Sequence, residues 1–267
     1  MAVSRPLAEQ IDSLGSVNLL TMYDLPSEDP EELGLPDEFH DLQPQLLSAT
    51  LRLTAVSSDR IFTGTDLNLY YDAQHPLWHK RPDWFVAIGV PRLYAERDLR
   101  LSYVVWDEGV NPFVVVELLS PGTEKEDLGQ TESEAGEPPT KWEVYERILN
   151  VPYYILYDRY NGMLRGFHLI DGRYQEMALE DNRLWLQDLK LGLGLWQGKY
   201  EEITRQWLRW LDLEDNWIAT PLEQSEQQRA EERQQRLVAE QERDLAQAKA
   251  ARMAERLKAL GINPDEV

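Results

Sequence analysis

Cysteine is absent from the 267 residues. That excludes a disulfide scaffold, a thiolate-ligated zinc or iron–sulfur centre, and a thiol nucleophile. Histidine is scarce, with four residues at positions 40, 75, 79 and 168. Only His75 and His79 have helical ligand spacing, and Pro76 between them argues against a helix there. No apolar run approaches the roughly 18 residues needed to cross a bilayer. The first residues, MAVSRPLAEQIDSLG, hold one arginine and no apolar stretch of signal-peptide length, so the expected location is the cytoplasm. A Gly-rich phosphate loop and a G-x-S-x-G elbow are both missing, which leaves little support for a small-molecule hydrolase or phosphatase.

Positive charge is also short. The chain carries 27 basic and 48 acidic side chains, a formal net charge of −21. Tight, nonspecific coating of nucleic acid needs a basic face, which this composition does not offer. Metal-dependent chemistry on a nucleic acid remains open, because carboxylates recruit cations and a local basic patch can coexist with a negative total.

What is present divides the chain into four stretches. Residues 1–36 read as an N-terminal arm with little structure of its own. Residues 37–200 carry the periodic patterns of a folded domain. After Pro36-Asp37, the residues Phe39, Leu42, Leu46, Leu47 and Leu51 recur at three- and four-residue spacing and predict an amphipathic helix. Pro44 inside it argues that the regular part begins there. Alternation at Leu67, Leu69 and Tyr71 predicts a strand, and further strands are expected at 84–90, 103–106, 113–119 and 153–157. The run FVVVELL is continuous enough to be a strand covered on both faces. A helical stripe over 141–149 lies between the last two strands, which suggests a strand–helix–strand crossover. Leu164 to Met177 reads as a hairpin turning at Asp171-Gly172.

The stretch 122–139 has six carboxylates, one lysine, three glycines and two prolines, and predicts a mobile surface loop. Residues 201–220 are expected to be a tryptophan-rich helical connector around Trp207 and Trp210. Pro221 then opens a long charged helix, with the tail ending at residue 267. Residues 223–258 hold eight acidic and eight basic side chains, so the rest of the chain carries the whole negative charge. Ala239, Ala246, Ala250, Met253 and Leu257 form a weak seam interrupted by Arg243. The helix reads either as a coiled-coil arm for a homodimer or partner protein through 221–260, or as a solvated helix held by i,i+4 charge pairs.

Two carboxylates sit where charge is expensive. Asp83 stands at the threshold of the strand WFVAIGV, and Glu117 lies inside FVVVELL. In such places a carboxylate must be paired, protonated or bound to a cation. Mg²⁺ favours one or two carboxylates plus waters. Lys141 opens the helix after the acidic loop, with Tyr145 four residues on and on the same face.

Three segments in order, RPDWFVAIGVP, FVVVELLSPGTEKEDLG and KWEVYERILNVPYYILYD, resemble the Uma-type restriction endonucleases of bacteria, within the PD-(D/E)XK nuclease superfamily. The likeness covers roughly residues 38–200, and the terminal LKALGINPDEV is similar to the tail many members carry. The resemblance implies an α/β fold, a restriction-endonuclease-like mixed sheet flanked by helices, here with a long C-terminal charged helix. It implies phosphodiester hydrolysis on DNA with Mg²⁺ (or Mn²⁺) held by Asp83 and Glu117, and with Lys141 orienting the water or phosphate. Lys141 matches a lysine moved from strand to helix, since Leu119 occupies the superfamily's usual lysine position. Ser120, Asp127, Tyr145 and His40 match supporting positions. Arg81, Arg92, Arg97 and Arg100 are the nearby basic groups for a phosphate-facing rim. Departures are an acidic insertion at 130–140, Asn150 in place of a glycine, and Tyr153 in place of a glutamate. The alternative reading is a catalytically silent nuclease fold acting as an interaction module through its C-terminal helix.

Overall fold

The computed structural model describes residues 19–25, 37–119, 127–131, 133 and 136–260. The chain divides into two compact units, Met1–Ile218 and Ala219–Val267. Most of the expected N-terminal arm lies outside the described residues. Its described part, 19–25, buries Met22 and Leu25 against Tyr70 and Val104.

Helix α1 spans Glu38–Thr50, with the Asp37 carboxylate accepting from the amides of Phe39 and His40 at its N-cap. That cap satisfies otherwise orphaned donors. The helix therefore starts six residues before the expected start at Pro44, which sits inside it. Strands β1 (Ile61–Thr65), β2 (Leu69–Tyr70), β3 (His79–Lys80), β4 (Trp84–Ile88) and β5 (Tyr103–Val104) follow. The expected strand at 103–106 is cut short, because Val105–Glu108 forms a one-turn helix α2 ended by left-handed Gly109.

Strand β6 is Val114–Leu118, buried at every position as its continuous apolar run requires. Next come the turn α3 (Lys141–Glu143), which continues as a π-helical turn at Val144–Ile148, and strand β7 (Tyr153–Asp158). The hairpin at Asp171-Gly172 is present, joining β8 (Met163–Ile170) to β9 (Arg173–Glu176). Strands β10 (Arg183–Leu186), β11 (Leu191–Tyr200) and β12 (Ile203–Leu211) complete the first unit.

The expected helical connector at 201–220 is corrected by β12, which pairs antiparallel with β11 along its whole length. Trp207, Leu208, Trp210 and Leu211 have helical spacing in sequence. All four are buried, with Arg209 between them. A strand covered on both faces shows no alternation, so its period is hidden.

The central sheet has the order β1-β4-β6-β7-β8-β9. Only β6 and β7 run parallel, while β4 and β6 are antiparallel; the sheet is mixed, as expected of this α/β class. Alternate residues of β6 and β7 feed two cores. Val114, Val116, Leu118, Tyr153, Ile155 and Tyr157 face α1 and the β10–β12 sheet. Val115, Tyr154 and Leu156 face the 141–149 turn and the strands around Tyr103. A second sheet thus shares with α1 the covering of one face. The second unit is α4, Pro221–Ala259, capped by Thr220 and Glu223 and burying no side chain.

Candidate active site

The site forms where β4 begins and β6 ends. Trp84 pairs with Val116, so one step further out Asp83 and Glu117 stand opposite each other on the same face. The Leu118 amide donates to Asp83 Oδ2 at 2.6 Å. This fixes the aspartate across the strand gap.

Lys141 comes from the first turn of α3. Thr140 and Glu143 cap that turn reciprocally, with Ser133 also donating to Glu143. The Lys141 ammonium lies 3.0 Å from Glu117 Oε2 and 3.0 Å from Asp127 Oδ1. Tyr145 donates to Glu117 Oε1 at 2.8 Å. The shared helical face of Lys141 and Tyr145 therefore delivers both groups to one carboxylate. The turn after Tyr145 is widened, with the Leu149 amide reaching back to the Val144 carbonyl at 2.9 Å, a π-type bond.

Asp127 is held against this helix by its own short motif. Gly129 has φ of 66° and lies so close to Trp142 that a Cβ would meet its ring at 2.6 Å. Only glycine suits both constraints. Tyr154 adds a hydrogen bond to the Asp127 carbonyl at 3.0 Å.

His40 approaches from the other face. Its Nδ1 is 3.0 Å from Asp37 Oδ1, and its Nε2 is 3.1 Å from the Leu118 carbonyl. The Leu118 residue is thus gripped at its N–H by Asp83 and at its C=O by His40. Arg159, just beyond β7, makes a two-point pair with Asp37.

Three carboxylates, Asp83, Glu117 and Asp127, surround one ammonium. Burial pushes the Glu117 carboxyl up to about 8 against the pull of Lys141, and Asp83 and Asp127 push the same way. Asp83 is also raised by burial, offset in part by Lys141 and the Leu118 amide. Burial would strip the proton from Lys141, but Glu117, Asp127 and Asp83 together hold it above the ordinary lysine range. Glu117 is 1% exposed while Lys141 keeps 21% of its side chain accessible. Solvent therefore reaches the cluster on the lysine side.

Such a surplus of buried negative charge suits a small hard cation. Among the described residues no group of three or more His or acidic side chains is arranged to hold a metal ion. Asp83 and Glu117 are the carboxylates that could share one hard cation, an ion that commonly keeps several waters.

A family model, Uma2, described as "Putative restriction endonuclease", matches residues 9–204. The chain belongs to this family. No curated protein matches it. Within the Uma2 frame, Asn150 in place of glycine has a physical reason: its φ is 49°, and asparagine tolerates that left-handed region.

Other anticipated residues fall elsewhere. Ser120 lies outside the described residues, as do parts of the loop expected at 122–139. Of the acidic insertion 130–140, Thr140 caps α3 and Ser133 donates to the capping Glu143 side chain. Arg81 pairs with Asp66 at 2.8 Å, near the start of β4. Arg92, Arg97 and Arg100, the rest of the expected rim, have contacts of their own. Arg100 is buried in a bidentate pair with Glu108 and donates to the carbonyls of Pro91 and Arg92. Arg92 is tied through its amide to Asp59, beyond the Ile88 end of β4. Arg97 pairs with Asp98 at 3.6 Å. No described contact links these three to Asp83, Glu117 or Asp127. Sequence reasoning missed Asp37 as the anchor of His40, although Asp ahead of a helix is a cap signal, and it missed Arg159 altogether.

Among the described residues no helix is long and apolar enough to cross a membrane.

Proposed function

We propose that this Uma2 protein is a metal-dependent endonuclease that hydrolyses phosphodiester bonds of DNA. The observation that carries this reading is the facing pair of half-buried Asp83 and buried Glu117, in register at the sheet end with Lys141 beside them. Asp83 and Glu117 would hold Mg²⁺ or Mn²⁺, with the Leu118 carbonyl, already polarised by His40, as the neighbouring backbone donor. The chemistry supplied by such a bound ion is activation of a water and screening of charge on the phosphate.

The remaining steps belong to side chains. Lys141, held protonated by the neighbouring carboxylates, donates to the attacking water or a phosphate oxygen while it stays beside them. Tyr145 holds Glu117 Oε1, so the carboxylate meets a ligand in one orientation. His40 and Asp83 keep the Leu118 residue from rotating away. Asp127 keeps Lys141 near the reacting centre.

The test is isothermal titration of Mg²⁺ and Mn²⁺ into wild type and an Asp83→Ala, Glu117→Ala double variant, with plasmid nicking on the same samples. Binding and nicking that vanish together support the reading. Lys141→Ala is expected to keep metal affinity while nicking drops by about 10²-fold or more. Undiminished metal affinity in the double variant would move the site elsewhere.

One observation favours a second reading, that of a catalytically silent interaction module. The Lys141 ammonium already contacts both Glu117 and Asp127, and so supplies a cation without any metal. Absence of metal binding in the wild type would select it.

A further inference from the structure

Of the four arginines expected as a phosphate-facing rim, Arg81, Arg97 and Arg100 each pair with a carboxylate. Lys141 is engaged with carboxylates. Arg165 and Arg183 each face a carboxylate as well. Arg205, on β12, differs. Its guanidinium lies 4.4 Å from the Phe39 ring centre and 5.4 Å from that of Trp207. Its Nε is buried without a hydrogen-bond acceptor, and so is Nε1 of Trp207 two residues on, a side chain only 1% exposed. Two neighbouring donors on one strand face thus lack acceptors, and among the described residues Arg205 has no ion-pair partner.

Arg159 completes the arrangement. Its guanidinium lies 5.0 Å from the same Phe39 ring. Two guanidinium groups therefore bracket one aromatic ring, with the single carboxylate of Asp37 paired to Arg159. Phe39 is the residue before His40, whose imidazole touches the Leu118 carbonyl beside Glu117. The patch lies on the sheet face opposite Glu117 and is linked to it through His40 and the Leu118 carbonyl.

We propose that Arg205, with Arg159 beside it, binds the phosphodiester backbone of DNA next to the cutting site. This deepens the nuclease reading and rests on it. Stacking on Phe39 and Trp207 orients the planar fork before the ligand arrives. A guanidinium presents paired N–H groups to the non-bridging oxygens of a phosphate, and the contact is charge-assisted. Each phosphate neutralised releases condensed counterions, so the contact is visible as salt dependence.

The experiment is fluorescence anisotropy of a labelled duplex DNA with the full chain in EDTA, over a KCl series. Wild type is compared with Arg205→Ala, Arg205→Gln, Arg205→Lys and Arg92→Ala. The alanine and glutamine variants are expected to bind more weakly, with the slope of log K against log [KCl] shallower by about 0.9. Arg205→Lys should keep the slope, and Arg92→Ala should match wild type. Near-UV circular dichroism of the tryptophans shows whether each variant is folded; glutamine, which keeps much of the stem, serves if alanine does not fold. An unchanged slope in the folded neutral variant overturns the proposal, as does an equal loss with lysine or with Arg92→Ala. Wild type that binds no duplex at low salt removes the DNA-cutting reading itself, and the proposal with it.

Discussion

In the proposed nuclease, Glu117 concentrates the chemistry of the site in one side chain. It sits on a fully buried strand, accepts from Tyr145 and contacts Lys141, and its carboxyl is pushed up to about 8 by burial. A protonated carboxyl cannot ligate Mg²⁺ as a carboxylate does, so proton and metal compete for it. The sign follows directly: below about 8 the proton must leave when metal binds, and above it the carboxylate is free. Metal affinity is therefore expected to rise with pH, with log K against pH approaching a slope of one below the Glu117 value and flattening above it. Titration calorimetry in buffers of different ionisation enthalpy measures the released proton. A flat profile between pH 6 and about 9 would contradict the role given to Glu117. The same residue shows what sequence could reveal. A glutamate inside FVVVELL is conspicuous because burial of charge is costly, and Lys141 and Tyr145 were legible through helical spacing. Asp37, Arg159 and Arg205 were not, because each is recruited from a distant segment and no local pattern distinguishes it from a surface charge.

At the scale of elements, α1 and β12 are joined by a contact that no periodicity foretells. Gln43, fully buried, donates to the Leu208 carbonyl at 2.7 Å and accepts from the Leu208 amide at 2.9 Å. The glutamine side chain thus imitates a neighbouring strand at the free edge of the β10–β12 sheet. Gln43→Leu is expected to destabilise by about 2–4 kcal/mol, since two buried backbone groups at roughly 1–3 kcal/mol each lose their partners. Urea unfolding followed by tryptophan fluorescence measures it, and a change below about 0.5 kcal/mol would show that the strand edge finds other partners. The strands of the central sheet were mostly legible, with boundaries shifted by a residue or two. The connector at 201–220 was misread because burial on both faces of β12 removed the alternation that marks a strand. The start of α1 was placed too late because Pro44 was weighted above the Asp37 cap, and the cap prevails.

For the whole molecule, charge and burial are unevenly shared. Helix α4 buries none of its side chains, and its segment 223–258 balances eight acids with eight bases. A 39-residue helix is long enough to persist with capping and charge pairs alone. Removing residues 221–267 is therefore expected to leave the melting temperature of the remainder within about 2 °C, since no described side chain of α4 is buried. Differential scanning calorimetry of the two lengths checks this, and a drop of about 5 °C or more would reveal a stabilising role for α4. Extending a leucine seam along this helix meets Arg229, Arg236 and Arg243 at seven-residue intervals, a poor lining for a two-stranded interface.

The grip on Leu118 has a consequence in the time domain. Its amide proton is held by the Asp83 carboxylate instead of by a backbone carbonyl, and its carbonyl is shared with His40. That single N–H therefore belongs at once to the scaffold and to the proposed metal site. Its resonance frequency and its exchange lifetime in heavy water respond to whatever occupies Asp83, which makes Leu118 a built-in spectroscopic reporter on the state of the site.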